Sequence, residues 1–141
     1  MDAIVIYESL TGNTARAAER IAQELGSTRI GVLDVCPSNH IDLGALSKAD
    51  LVLLGTWTHG IFIVGQAPFT PPRIKQMPAI AGKKAASFLT YALNPGRSLD
   101  KLDRIIESRG GESLGGIAIN RRKIEQGAET LVDRLVANLA L

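Results

Sequence analysis

Residues 3–7 form a short run that is apolar at both odd and even positions. Because successive side chains of a strand point to opposite faces of the sheet, this run predicts a strand that is buried on both faces. Residues 51–55 have the same character. Strands of this kind occur inside parallel sheets whose two faces are covered by helices, so these two runs predict an α/β fold.

Amphipathic helices alternate with the apolar runs. Residues 13–25 place their apolar side chains along one stripe of a helix, and Gly26 follows as the expected end. Further strands are predicted at residues 30–36, 84–90 and 113–120. Further helices are predicted near residues 43–46, from Pro71-Pro72 onward, over residues 98–108 with Ser98 as the cap, and over residues 124–139.

Five strands that alternate with helices predict one domain, residues 1–141, built on an open, doubly wound, five-stranded parallel sheet. Right-handed crossovers leave two common strand orders, and five units fit the order 2-1-3-4-5 with helices on both faces. In such sheets, ligands bind at the carboxyl ends of the strands, where the strand order reverses. The loops after the first, third and fourth strands meet at that edge, so we expect the functional site there.

The loop after the first strand contains residue types that bind phosphate. It consists of Ser9, Leu10, Thr11, Gly12, Asn13 and Thr14, and it leads directly into the first helix. The first N–H groups of a helix lack intrahelical partners and lie at the positive end of the helix dipole, so they and the loop hydroxyls could surround a phosphate. The same residue types are common in ordinary turns and helix caps, and that alternative stays open here.

Other phosphate-binding signatures are absent from this loop. It has no Gly-Lys-Ser/Thr ending, which the nucleoside-triphosphate loop requires, and no G-x-G-x-x-G dinucleotide pattern. It also contains no Lys or Arg, so an anion bound there would be held by neutral hydrogen-bond donors.

Composition restricts the possible functions. Hydrophobic residues make up 45% of the chain, as in folded domains, and the formal net charge of +2 is too small to predict nucleic-acid binding. No apolar run approaches the roughly 20 residues that span a bilayer, and no signal-peptide pattern opens the chain. Cys36 is the only cysteine and cannot form an internal disulfide, so we expect a cytoplasmic protein.

The residue order Ser9-Leu10-Thr11-Gly12-Asn13-Thr14 resembles the phosphate loop of the flavodoxin family, T/S-x-T-G-x-T, which also follows the first strand. The resemblance implies a short-chain, flavodoxin-like protein whose cofactor is FMN, with the FMN phosphate at this loop. It covers nearly the entire chain, although the phosphate loop is its one tight motif. Flavodoxins themselves have the strand order 2-1-3-4-5, so the predicted order and the resemblance are not independent of each other.

The resemblance also implies that the flavin ring lies between the two other loops. Trp57 would cover one face of the ring and Tyr91 the other. The alternatives are that Trp57 packs over its own loop and that Tyr91 is buried beside a Pro-Gly turn. The implied cofactor-binding residues of these loops are Thr56, Trp57, Thr58, His59 and Gly60, and Thr90, Tyr91, Ala92, Asn94, Pro95 and Gly96.

The sequence departs from the flavodoxin pattern in two ways. Thr58 stands where a glycine is usual after the aromatic residue, and the second ring loop lacks the acidic residue that is common there. Basic residues flank the loops instead, and they are Arg73, Lys75, Arg97, Arg121, Arg122 and Lys123. We expect either a basic rim that suits an acidic partner or an ordinary solvated surface.

The function implied by the resemblance is electron transfer by FMN with a redox partner protein, either a reductase or an acceptor. The alternative is a small FMN-dependent oxidoreductase that acts on a quinone or NAD(P)H, and a third possibility is a binding module that has lost FMN. A phosphorylated receiver domain is not favoured, because the first strand ends in Tyr7-Glu8-Ser9 without the acidic pair that binds Mg²⁺. No metal site and no catalytic residue are predicted, since a lone loop histidine such as His59 is usually solvated.

Overall fold

The computed structural model describes residues 1–9, 11–58 and 80–140. Five strands and four helices lie within these ranges. They are β1 (Asp2–Tyr7), α1 (Asn13–Leu25), β2 (Gly31–Pro37), α2 (Leu43–Lys48), β3 (Leu51–Trp57), β4 (Lys84–Tyr91), α3 (Ser98–Ser108), β5 (Glu112–Asn120) and α4 (Ile124–Asn138).

The strands form one parallel sheet in the order β2-β1-β3-β4-β5, which confirms the predicted fold. The chain leaves β1 through α1 to reach β2 on one side, and it later returns through α2 to place β3 on the other side of β1. Connections in such sheets are right-handed, so the two crossovers cover opposite faces. The loop after β1 therefore runs to one face of the sheet and the loop after β3 to the other. A crevice is expected between these two loops, at the carboxyl ends of β1 and β3.

Helices pack on both faces of the sheet because the central strands have no polar face. All side chains of β1 from Ala3 to Ile6 and of β3 from Leu51 to Leu54 are fully buried. Ala3 and Val5 face the core beneath α1 and α4, whereas Ile4 and Ile6 face the core beneath α2 and α3. Burial on both faces confirms the interpretation of these two apolar runs.

A glycine in β3 allows Phe88, the largest fully buried side chain among the described residues, to pack. A Cβ atom at Gly55 would overlap the ring of Phe88, which lies on the neighbouring strand and is fully buried. The two residues are directly paired in the β3–β4 register. Gly55 is therefore required for the close approach of the Phe88 ring, not for an unusual backbone angle.

Two assignments differ from the sequence prediction, and one lies beyond the described residues. β3 continues through Thr56 and Trp57, which had been assigned to a loop, because the ladder with β4 extends to the pair Trp57–Thr90. Ser98 is the first residue of α3 and not its cap; Arg97 holds the cap position, and no side chain there bonds to the helix. The helix predicted to begin at Pro71-Pro72 lies outside the described residues.

The glycine pair Gly115-Gly116 in β5 lies at a bulge and at a close contact. The β4–β5 register shifts between the pairs Ala85–Ser113 and Ser87–Gly116. A Cβ at Gly116 would meet the Ser87 side chain.

Replacing Gly55 with Ala should lower the free energy of unfolding by roughly 1–3 kcal/mol, because the new methyl group forces Phe88 from its position in a close-packed core. Urea denaturation measures this change. Gly44→Ala is the control, because Gly44 is exposed in α2 and its new Cβ would meet only the side-chain oxygen of Asp42, at 3.3 Å, and no core side chain. It should change the free energy of unfolding less than Gly55→Ala does. A Gly55→Ala protein as stable as the unchanged protein would contradict the assigned packing.

Candidate functional site

The loops at the carboxyl edge of the sheet are tied to one another by backbone hydrogen bonds. Each bond continues a strand ladder by one residue beyond the point where the strand ends. The bonds run from Glu8 N–H to the Gly55 carbonyl (2.9 Å), from Thr58 N–H to the Thr90 carbonyl (3.0 Å) and from Arg121 N–H to the Tyr91 carbonyl (3.0 Å). The loops after β1, β3 and β5 are therefore anchored to a neighbouring strand where they begin.

The N-terminus of α1 opens into this edge without a capping side chain. Gly12 holds the cap position with φ +93°, in the left-handed region that favours glycine. The first helical hydrogen bond runs from Arg16 N–H to the Gly12 carbonyl (3.0 Å). The backbone N–H groups of residues 13–15 lie before this bond, so they have no acceptor within the helix. The first turn contains no acidic residue. The first turn of α1 therefore contributes neither a competing cap nor a repelling carboxylate to an anion at this helix end.

Two separate hydrogen bonds involve the side chains of the loop before α1. The Ser9 hydroxyl accepts a hydrogen bond from Gly12 N–H (3.1 Å), which fixes the turn. The Asn13 side-chain amide donates to the Thr11 hydroxyl (3.2 Å). Thr11 is exposed, so its own hydroxyl hydrogen is available to a ligand.

Thr14 is the one loop hydroxyl that is directed into the protein. Its side chain is 1% exposed and donates to the Thr56 carbonyl (3.2 Å). Its oxygen also lies 2.8 Å from the hydroxyl oxygen of Thr90, which is 3% exposed. The first turn of α1 is therefore joined to the carboxyl ends of both β3 and β4. Sequence reasoning included Thr56 and Thr90 as ring-loop residues but missed this connection, which depends on strand register.

The two aromatic residues stand at the ends of neighbouring strands. Trp57 ends β3 and is half-buried, and it is paired in register with Thr90. Tyr91 ends β4 and packs against the core beneath α2 and α3. Since consecutive residues of a strand point to opposite faces, Tyr91 points away from the face of Thr90 and α1. Both aromatic side chains keep part of their surface accessible at the edge.

The loop after β4 turns sharply before α3. The Asn94 side-chain oxygen accepts a hydrogen bond from Gly96 N–H (2.9 Å), and Gly96 has φ +59°. Ala92 and Pro95 are half-buried. Leu93, which the sequence did not single out, is 80% exposed and gives this edge an apolar side chain.

Exposed cations lie beside the same loops. Asn120 fixes the turn after β5, because its side-chain oxygen accepts from Arg122 N–H (2.9 Å) and its carbonyl accepts from Lys123 N–H (2.8 Å). The side chains of Arg121, Arg122 and Lys123 in this turn are exposed, and so is that of Arg97 before α3. Of the basic residues expected to flank the loops, four are described and exposed, namely Arg97, Arg121, Arg122 and Lys123; Arg73 and Lys75 lie outside the described residues.

Leu10, His59 and Gly60 also lie outside the described residues. His40 is exposed. Cys36 is buried, and this burial raises the pKa of its thiol above the ordinary value, which disfavours the reactive thiolate.

Within residues 1–9, 11–58 and 80–140, no three His, Cys, Asp or Glu side chains are grouped as metal ligands. No helix in these ranges is long and apolar enough to cross a membrane.

The residues of this edge fit a cofactor that has a phosphate group and a flat ring. The uncapped helix end, the left-handed Gly12 and the exposed Thr11 hydroxyl offer donors to an acceptor-only phosphate. Trp57 and Tyr91 offer apolar surface to a ring system. These donors are neutral, so no cationic side chain of the loop would neutralise the charge of the bound phosphate.

Known proteins with the same architecture support this interpretation of the fold. Oxidised flavodoxin 1 from Bacillus cereus is 21% identical, the match covers 96% of this chain and 97% of that chain, and the TM-score is 0.69. The two-electron reduced flavodoxin of Megasphaera elsdenii is 19% identical, with 90% of this chain and 96% of that chain covered and a TM-score of 0.70. The flavodoxin of Streptococcus pneumonia TIGR4 is 22% identical, with coverages of 95% and 99% and a TM-score of 0.67.

The strand order, together with the helix N-terminus at the switch point between β1 and β3, defines the class of an open, doubly wound α/β protein. The flavodoxin domain family matches residues 4–108, and the chain belongs to this family. It is an FMN-binding electron-transfer protein. No curated protein sequence matches the chain.

Replacing Gly12 with Ala should lower the free energy of unfolding by about 1 kcal/mol, because a side chain in the left-handed region is strained. The space around Gly12 is open, so strain of the backbone is the only expected cause. Gly12→Asn should lose less stability, since asparagine tolerates this conformation better than alanine. Equal stability of the two variants in urea denaturation would be inconsistent with the φ of +93°.

Proposed function

We propose that the FMN phosphate binds at the N-terminus of α1 and that the flavin ring lies between Trp57 and Tyr91. The observation that carries this proposal is the open end of α1, which has no capping side chain and no acidic residue in its first turn. A phosphate placed there accepts hydrogen bonds from the first-turn amides and gains from the helix dipole.

The side chains of the loop before α1 have different parts in this proposal. The exposed Thr11 hydroxyl donates directly to a phosphate oxygen, and the Asn13 side chain holds Thr11 in place through the bond described above. Ser9 maintains the turn by accepting from Gly12 N–H. Leu10 and Thr14 complete the set of loop residues proposed to surround the phosphate. Because every donor is neutral, binding depends on the number and direction of hydrogen bonds.

The residues of the two other loops enclose the ring in this proposal. Trp57 and Tyr91 cover its faces, and the segments Thr56–Gly60 and Thr90–Gly96 border its edges, including Thr58, His59, Ala92, Asn94 and Pro95. When it is bound, FMN supplies the redox chemistry. The protein holds the ring, excludes water from its faces and leaves one edge near the surface for electron exchange. Thr58 is β-branched, so this loop bends less readily than one with glycine at that position.

We further propose that the redox partner is an acidic protein. Exposed Arg97 directly follows the Tyr91 loop, and exposed Arg121, Arg122 and Lys123 form the turn after β5. That turn lies beside the Tyr91 loop, because Arg121 N–H is bonded to the Tyr91 carbonyl. Cations grouped beside a redox site steer partners of opposite charge and accelerate their association. Exposed Leu93 adds an apolar contact on the same edge. The single buried cysteine is consistent with a reducing cytoplasm as the place of action.

An FMN-dependent oxidoreductase is the second candidate function, and the same cations favour it. A guanidinium beside the ring can bind the phosphates of NAD(P)H as well as the carboxylates of a protein. Rapid oxidation of NADPH by the purified FMN-loaded protein, without an added reductase, would favour the enzyme. Reduction that requires a partner protein would favour the carrier.

Replacing Thr11 with Ala should weaken FMN binding roughly tenfold, because one hydrogen bond to a charged phosphate is lost. Riboflavin has the same ring but no phosphate, and its affinity should change far less. Titration of the apoprotein with each flavin, followed by flavin fluorescence, measures both affinities. Ser27→Ala is the matched control, since Ser27 is exposed just beyond the far end of α1. Equal losses for FMN and riboflavin would exclude the phosphate site proposed here.

Replacing Arg121 and Arg122 with Glu should slow electron exchange with an acidic [2Fe–2S] ferredoxin by roughly tenfold at low ionic strength. The difference from the unchanged protein should shrink as salt screens the charges. Stopped-flow measurements over a range of salt concentrations test this. The control Arg29→Glu with Lys48→Glu changes the formal charge equally, but at exposed positions before β2 and β3, on the amino edge of the sheet. Equal slowing by both pairs would indicate an effect of net charge and contradict a localised docking surface.

A further inference from the structure

Two buried hydroxyl groups meet beneath the phosphate loop. Thr14 belongs to the first turn of α1 and Thr90 to the end of β4, 76 residues later in the chain, yet their hydroxyl oxygens are 2.8 Å apart. Both side chains are almost fully buried. This contact joins the loop that is proposed to hold the phosphate to the strand that leads into a ring loop.

The direction of this hydrogen bond follows from the number of protons. A hydroxyl donates one hydrogen bond and can accept two. Thr14 uses its single proton for the Thr56 carbonyl at 3.2 Å, so Thr90 is the donor in the bond between the two hydroxyls. If the Thr14 proton were directed to a phosphate oxygen instead, the Thr14 oxygen could still accept from Thr90. The bond from Thr90 is therefore compatible with both directions of the Thr14 hydroxyl.

A second buried hydroxyl lies nearby, but on the opposite face of the sheet. Thr56 is paired with Leu89 and Trp57 with Thr90, so the Thr56 side chain points away from the face of Thr90 and α1. Its hydroxyl is completely buried and has no partner in the part of the chain that the structure describes. Thr56 therefore takes part in the contacts of Thr14 through its carbonyl and not through its hydroxyl.

We propose that Thr90 is a positioning residue for the FMN phosphate: it donates to the Thr14 hydroxyl and holds the first turn of α1 in the geometry that binds the phosphate. This inference rests on the phosphate site proposed above. Thr90 lies in the strand just before the Tyr91 loop, a position that suggests contact with the edge of the ring. In the role proposed here, its hydroxyl acts on the phosphate instead, through Thr14.

Thr90→Val tests the inference, because valine keeps the branched shape of threonine and removes its hydroxyl. We expect FMN affinity to fall by roughly threefold to tenfold, the range for one lost hydrogen bond. Riboflavin affinity should change by less than about twofold, since no phosphate depends on the geometry of the turn. A residue with a purely structural role would weaken both flavins equally. Equal losses, or no loss for FMN, would overturn the inference.

Two further variants make the result specific. Thr90→Ser keeps the donor and should restore the ratio of FMN to riboflavin affinity found in the unchanged protein. Ser87→Ala is the matched control, because Ser87 lies in the same strand and its buried hydroxyl has no partner among the described residues. It should leave both affinities unchanged. If Thr90→Ser lowers the ratio as much as Thr90→Val does, the hydroxyl is not the cause and the inference fails.

A double-mutant cycle with Thr14→Val separates this inference from the phosphate site itself. If Thr90 acts through Thr14, adding Thr90→Val to Thr14→Val should cause little further loss of FMN affinity. Full additivity of the two losses would overturn the inference. Thr11→Ala reports on the phosphate site independently: if it affects FMN selectively while Thr90→Val does not, the site is retained and only the role of Thr90 is rejected.

Discussion

Burial of β1 and β3 on both faces is the constraint on which the rest of the structure depends. Neither strand has a polar side that could face water, so helices must cover both sides of the sheet. The chain meets this requirement by crossing from β1 to β2 through α1 and by placing α2 and α3 on the opposite face. Because the crossovers diverge at the carboxyl ends of these two strands, the loops there remain open to a ligand.

The loops at this edge are ordered where they leave the sheet, although they connect elements on different faces. Backbone bonds extend each ladder by one residue, and the Thr14 side chain joins α1 to β3 and β4. A cofactor that spans several loops needs such an arrangement, since each loop would otherwise lose conformational freedom on binding. The phosphate end and the ring end of the proposed FMN site therefore belong to one connected set of contacts.

The groups proposed to bind the cofactor phosphate and the groups proposed to attract a partner are different and lie on different loops of this edge. The phosphate is proposed to lie against neutral donors and a helix dipole, whereas the exposed cations lie on the loops that leave β4 and β5. Arg121, Arg122 and Lys123 leave a turn that Asn120 stabilises, so the backbone sets where these exposed side chains begin. In the proposed function, this positive charge serves an approaching partner and does not hold the phosphate.

The sequence by itself determined the fold, because the fold follows from local patterns, and the same patterns predict where the site lies. Runs that are apolar at every position predicted the central strands, and the loop Ser9–Thr14 predicted a phosphate site at the start of α1. Ser98 was wrongly assigned as a cap: its N–H meets the Pro95 carbonyl at 3.4 Å, and the side chain is buried as α3 begins. Only the tertiary structure brought Thr14 to Thr90 and extended β3 through Trp57, because contacts between distant residues depend on strand register and helix packing, which no local pattern specifies.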